Sequence, residues 1–200
     1  MGTLELALAE VLRWEGGYVN DPRDHGGATN RGITQATYDE WRRSRGLPPQ
    51  PVTEIGEEEV RAIYRERYWA PVAAFWDAAD RPGIALYLFD AAVQHGVGTA
   101  RAFERRLADT LRLHPLLGLA YLHRDRTLFY TRVRSRKTGK LLFPDYGRGW
   151  MRRIASVYAR AVELEHPGGL IRAHRFFLDG HEYPLAAARW VGEKLYVRRA

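Results

Sequence analysis

Apolar positions recur along the chain with a helical period, and glycine and proline break the pattern into segments. Leu4, Leu8, Val11 and Leu12 share one face of a helix predicted over residues 4–14, with Thr3 as its N-cap and Gly16-Gly17 as its end. Residues 18–32 lose the period and read as loop or short irregular strand, with turns at Asp21-Pro22 and Gly26-Gly27. Thr34 begins a second helix that stops at Gly46, and LPPQPV is a stiff connector. Residues 53–69 predict a third helix, acidic in its first half and arginine-bearing in its second, as the helix dipole prefers. The run from Ile84 to Val93 suits a buried helix ending near Gly96. Three more helices are predicted over TARAFERRLADTLR, over 118–134 and over 149–164, with a basic turn from Arg134 to Lys140. After His166-Pro167-Gly168-Gly169 the texture changes. Asp179-Gly180 and Gly192 separate short aromatic and apolar runs, which predicts hairpins in a β-rich tail over 170–200. The expected class is mainly α with a small β-rich C-terminal tail.

One segment does not serve the pattern. EGGYVNDPRDHGGATNRGIT, from Glu15 to Thr34, holds five glycines, two aspartates, one glutamate, two threonines and a proline in twenty residues. Glu15 ends the first helix beside Trp14, an unfavourable place for an exposed carboxylate. Partly buried there, it would have a raised pKa and could donate a proton near neutral pH. Asp24 lies nine residues on, in a loop rich in backbone N–H groups that keep an aspartate ionised. One acid held neutral and one held charged is the pairing that cleaves glycosidic bonds. Thr29 could hold a water between them, and the glycines would let a bulky sugar approach the backbone. The plainer alternative is that Glu15 is a solvated helix end and Asp24 a turn former.

Composition narrows the class. The chain has 200 residues, 46% of them hydrophobic, enough for one domain with a small appendage. It has no cysteine, which excludes thiol nucleophiles and cysteine-ligated metals. Its seven histidines show no paired metal-ligand spacing, so no metal is implied. The N-terminus lacks a basic region and its apolar residues are interrupted by Glu5 and Glu10, unlike a secretory signal. No run approaches the roughly twenty apolar residues of a membrane span. The net charge of +7 is uneven: residues 1–100 hold 10 Lys/Arg and 15 Asp/Glu, residues 101–200 hold 21 and 9. The basic second half suits a polyanion such as nucleic acid, an anionic membrane surface or a cell-wall polymer, or is simply a solvated basic face.

Glu15-Gly16-Gly17-Tyr18, Asp21-Pro22, then Asp24-x-Gly26-Gly27-x-Thr29-x-x-Gly32-Ile33-Thr34 resembles the signature of glycoside hydrolase family 108, the N-acetylmuramidases of phage lysis and bacterial secretion-activator proteins. The resemblance implies a lysozyme-like fold and makes Glu15 the essential catalytic residue. By similarity to phage-type lysozymes it places Asp24 and Thr29 on the far side of the sugar. Phe89-Asp90-Ala91-Ala92-Val93-Gln94-His95-Gly96, Leu128-Phe129-Tyr130 and Gly149-Trp150-Met151-Arg152-Arg153 resemble the predicted peptidoglycan-binding region that usually follows. The family often has Asn where this chain has Gln94. The implied organisation is a catalytic domain over 1–88, a helical region over 89–168 packed on it, and the tail over 169–200.

The expected activity is hydrolysis of the β-1,4 bond between N-acetylmuramic acid and N-acetylglucosamine, with no cofactor. Glu15, Asp24 and Thr29 are the expected catalytic residues, and Tyr18, Gln94 and His95 the expected substrate contacts. Tyr18 could equally pin the loop, and His95 could equally cap its helix. The expected partners are peptidoglycan and anionic wall or outer-membrane polymers. The expected course is synthesis in the cytoplasm, then holin-type or other non-classical release to periplasm or wall. Two rivals stand beside this reading: a catalytically silent wall-binding or secretion-accessory module, and a nucleic-acid binder. The second lacks a recognisable motif, its arginines being scattered through helices.

Overall fold

The computed structural model describes residues 2–20, 27–135 and 137–165, and the backbone of four strands between 175 and 197. The chain divides into two compact units, Met1–Glu165 and His166–Ala200.

In the first unit, α1 spans Thr3–Leu12. Its N-cap is Gly2 rather than Thr3. The Glu5 carboxylate accepts from the backbone N–H groups of Glu5 and Gly2, which hold it below the usual carboxylate range and leave Thr3 free to be helical. A two-residue hairpin follows: β1 (Thr29–Asn30) pairs antiparallel with β2 (Ile33–Thr34). Its turn residues Arg31 and Gly32 both have positive φ, 50° and 75°, the twist that tight hairpins need. Helix α2 (Gln35–Arg43) starts from Thr34, whose hydroxyl accepts from the Thr37 N–H at 3.2 Å, as expected from sequence.

The predicted helix over 53–69 is broken into pieces. A 3₁₀ turn covers Val52–Glu54, α3 covers Glu57–Tyr64, and a π-helical segment covers Arg65–Trp69. Two short helices follow, α4 (Ala70–Val72) and α5 (Ala74–Ala78). The Gly56 N–H donates to the Glu59 carboxylate at 3.1 Å, which sets a fresh helix start there. Pro71 lacks an N–H, so the ladder before it must shift.

Helix α6 (Pro82–His95) is the axis of the unit and is buried on every side from Gly83 to Ala92. Helices α7 (Val97–Leu113), α8 (Pro115–Arg132) and α9 (Phe143–Glu165) pack around it. Helix α9 begins six residues before its predicted start, since Pro144 suits a first turn. Gly83 lets α6 and α9 cross closely: a methyl there would fall 2.0 Å from the Ala161 carbonyl oxygen. From α9, the Glu165 carboxylate also accepts the Gly83 and Ile84 N–H groups at 2.9 and 3.0 Å, capping α6. The boundary expected between 88 and 89 falls inside α6.

In the second unit, β3 (Arg175–Leu178) pairs with β4 (His181–Pro184), and β5 (Ala188–Val191) with β6 (Lys194–Val197). The paired strands flank Asp179-Gly180 and Gly192, the turns expected from sequence, which lie outside the described residues. The protein is mainly α with a β-rich tail, and no helix among the described residues is long and apolar enough to cross a membrane.

Candidate active site

The last turn of α1 continues past Leu12, with the Trp14 and Glu15 N–H groups donating to the Val11 carbonyl at 2.9 and 3.3 Å. That turn carries Glu15 off the helix end while Trp14 packs partly against the core. The Glu15 side chain is 20% exposed. The hairpin turn lies across from it: a methyl at Gly32 would stand 2.9 Å from Glu15 Oε2 and 2.6 Å from the Tyr64 hydroxyl. The Tyr64 hydroxyl donates to the Arg31 carbonyl at 2.8 Å, locking the turn to α3. Burial first, and then the charge of Glu15, push the Tyr64 phenol well above its ordinary range. Tyr68, in the π segment, is raised by burial, and Glu15 adds to the rise.

The apolar setting expected for Glu15 is not what surrounds its carboxylate. Oε1 accepts from Arg153 Nη1 at 2.8 Å. Arg153 stands on α9 and turns its other edge to Asp90 on α6, with Nε and Nη2 each 2.8 Å from Oδ1. The second oxygen of Asp90 accepts from Arg126 Nη2, on α8, at 2.7 Å. Asp90 and Arg126 have no exposed side-chain surface. Burial would raise the Asp90 carboxyl, but the two guanidiniums outweigh it and hold it below the usual range. Carboxylate and guanidinium thus alternate from the interior to Glu15, and the four formal charges cancel.

Gln94 and His95 lie at the inner end of this chain. Arg126 Nε is 3.3 Å from His95 Nε2 and Arg126 Nη2 is 3.4 Å from Gln94 Oε1, which also accepts from the Tyr130 hydroxyl. His95 is boxed by the rings of Phe103, Phe129 and Tyr130 at 6.2, 4.8 and 4.7 Å. Burial, aided by Arg126, pushes its pKa down to about 3, so it is neutral over the working range. Gln94 Oε1 and His95 Nε2 are thus engaged within the fold. Tyr18 is 49% exposed. Thr29 pairs through its backbone with Val19 at 2.8 Å in both directions, and its hydroxyl donates to the Gly27 carbonyl at 3.2 Å. That pairing closes the loop that carries Asp24, which lies outside the described residues.

Sequence reasoning passed over Arg153, Asp90, Arg126 and Tyr64 as site residues. A signal was present. Arg153, Val157 and Ala161 recur every four residues and all are buried, so Arg153 is a charge on the apolar stripe of α9. Asp90 likewise interrupts the apolar run of α6. A buried charge needs a partner, and two of opposite sign invite pairing.

A cleft of about 400 Å³ lies between α7, α8 and Val133-Arg134, lined by Phe103, Arg106, Asp125, Leu128, Phe129 and Arg132 among others. It shares no lining residue with the Glu15 shell. A groove of about 300 Å³ runs along α1 and α3 to Arg31, the neighbour of Gly32.

Comparison with known proteins agrees with the resemblance in the Glu15 segment. Residues 8–96 match the family model described as glycosyl hydrolase 108. The structure of SagA from Brucella abortus is similar at 28% identity and a TM-score of 0.63, covering 82% of this chain and 96% of that one. The fold is therefore the lysozyme-like one expected from the sequence. Comparison with curated proteins gave no match.

Proposed function

We propose that the protein is a peptidoglycan hydrolase that cuts the β-1,4 bond between N-acetylmuramic acid and N-acetylglucosamine, with Glu15 as proton donor. The observation that carries this reading is the setting of Glu15: a partly exposed carboxylate, fixed through Oε1 by Arg153 and packed against Gly32 with Oε2, within the span that matches glycosyl hydrolase 108. With Oε1 occupied, Oε2 is the oxygen placed to carry the proton. It gives that proton to the glycosidic oxygen as the bond to the anomeric carbon breaks. Asp24 stabilises the oxocarbenium-like state or, with Thr29, directs the attacking water. The exposed ring of Tyr18 stacks on a sugar face. Two carboxylates and a water suffice for this chemistry, so no cofactor takes part. The 21 Lys/Arg of residues 101–200 would hold the enzyme on anionic wall or outer-membrane polymers, so that it acts in the periplasm or wall after non-classical release.

The test is Glu15→Gln on purified peptidoglycan, with mass spectrometry of the soluble fragments. The amide keeps the shape and the Arg153 contact but cannot donate an acidic proton, so the rate falls by at least about a hundredfold. Wild-type fragments carry muramic acid at the reducing end. A folded variant with more than about a tenth of the wild-type rate, or fragments ending in glucosamine, would refute the assignment.

A further inference from the structure

We infer that Arg153 is the positioning residue of Glu15, and that α9, outside the span matched by the family, is part of the reaction machinery. The inference rests on Glu15 as proton donor. Among the described residues the Glu15 carboxylate accepts one hydrogen bond, from Arg153 Nη1. Arg153 is itself fixed. Nε and Nη2 face Asp90 Oδ1, and Asp90 cannot turn because Arg126 takes its other oxygen. The helix that carries Arg153 is pinned to α6 by the close crossing at Gly83 and by the Glu165 cap. Glu15 thus inherits its place from a residue 138 positions away.

The chemistry gives this contact a purpose. A proton donor must present one oxygen to the leaving group, and its carboxylate must be stabilised as the proton departs. Arg153 takes Oε1 and so selects Oε2. As negative charge grows on Glu15, the guanidinium is already beside it, with no reorganisation required. Among the described residues, the groups that face Glu15 are Arg153 from α9, Tyr64 from α3 and Tyr68 from the π segment, and Arg153 is the charged one of these. Glu10, on α1, is occupied by Arg13 at 2.7 Å and Trp14 at 3.4 Å.

The experiment compares Arg153→Lys, Arg153→Met and Glu15→Gln on purified peptidoglycan, with kcat, KM and melting temperature for each. Lysine keeps the charge but cannot bridge Asp90 and Glu15 with a planar fork. Arg153→Lys should melt within a few degrees of wild type and lose about tenfold or more in kcat, with KM within about threefold. Arg153→Met, which loses both the charge and the fork, should lose about a hundredfold or more in kcat, with KM within about threefold. A purely structural role would lower the folded fraction and leave kcat per folded molecule near wild type in both variants. Wild-type kcat in Arg153→Lys overturns the inference, and so does a folded Arg153→Met with wild-type kcat. If Arg153→Met does not fold, Arg153→Lys decides alone. An active Glu15→Gln would instead refute the proton-donor reading beneath it. An inactive Glu15→Gln beside a fully active Arg153→Lys refutes the inference by itself.

Discussion

Two clusters in the first unit are built from the same side chains and do different things. On α2 and α3, Arg42, Glu59 and Tyr38 form a closed ring. Arg42 Nη1 donates to Glu59 at 2.6 Å and to the Tyr38 oxygen at 3.0 Å, and the Tyr38 hydroxyl donates to Glu59 at 2.6 Å. Arg42 Nε also donates to the Pro48 carbonyl at 2.6 Å, which folds the connector onto α2. Burial opposes the charge on Glu59, but bonds from Tyr38, Gly56 and Arg42 hold it below the usual carboxylate range. The other cluster, Arg126–Asp90–Arg153–Glu15, is more deeply buried at one end and open at the other. Among the described residues Arg126 Nη1 makes no hydrogen bond, and Arg153 Nη2 meets Asp90 Oδ1 at 2.8 Å as an ion pair without hydrogen-bond geometry, whereas no buried polar atom of Arg42, Glu59 or Tyr38 is left over. A closed ring can only stabilise. A chain with one end partly exposed can hold a reactive group, and the buried end keeps the rest from moving.

That contrast can be broken most severely at Asp90. Asp90→Asn leaves two guanidiniums against a neutral amide in the interior, a change expected to cost about 3–5 kcal/mol. For a unit of this size that lowers the melting temperature by about 10 °C, and activity should fall with it because Arg153 loses its anchor. A variant that melts within about two degrees of wild type would show that the charge chain does not hold α6 to its neighbours.

Glu59→Gln should cost about 1–3 kcal/mol by weakening the ring, yet kcat on peptidoglycan should stay near wild type in the folded protein. Melting curves and steady-state rates on one preparation separate the two effects. A kcat loss as deep as that of Glu15→Gln would erase the distinction between the clusters.

Gly32→Ala tests the hairpin side of the site. The positive φ there costs an L residue about 1 kcal/mol or more, and the methyl meets Glu15 Oε2 and the Tyr64 hydroxyl. The stability loss should be modest and the kcat loss larger, since Glu15 must shift. Equal and small losses in both would mean that Gly32 serves the turn alone.

A further effect concerns acid stability. His95 has its pKa lowered to about 3 by burial and Arg126, with Asp90 opposing and Arg153 adding to the drop. The unfolded chain therefore binds a proton that the folded chain refuses, so His95 contributes a loss of stability as pH falls from about 6.5 towards 3. His95→Gln removes that term and should flatten the decline in melting temperature between pH 6.5 and 4. An unchanged slope would assign the acid sensitivity to carboxylates such as Asp90.

Sequence reading went far with the scaffold and part of the way with the site. It located α2 from Thr34, α6 from its continuous apolar run, both tail hairpins from their turns, and Glu15 at the end of α1. It missed the break at Gly56, because a capping interaction within a helix-forming stretch leaves the apolar spacing almost unchanged. It expected apolar surroundings for Glu15 because it weighed only Trp14, the neighbour in the chain.

What the sequence determined by itself is local: which residues turn inward at a helical period, where glycine and proline stop them, and which short segment is too polar and too glycine-rich to be scaffold. These follow from backbone geometry and the burial of apolar side chains, which act over a few residues. Tertiary structure alone decided that Arg153 reaches Glu15 and that Asp90 stands between Arg153 and Arg126. The stripe on α9 announces a buried arginine, but its partner is set by the angle and register at which α9 crosses α6, and close packing at Gly83 and the Glu165 cap, which reaches back 82 residues to Gly83, fix these.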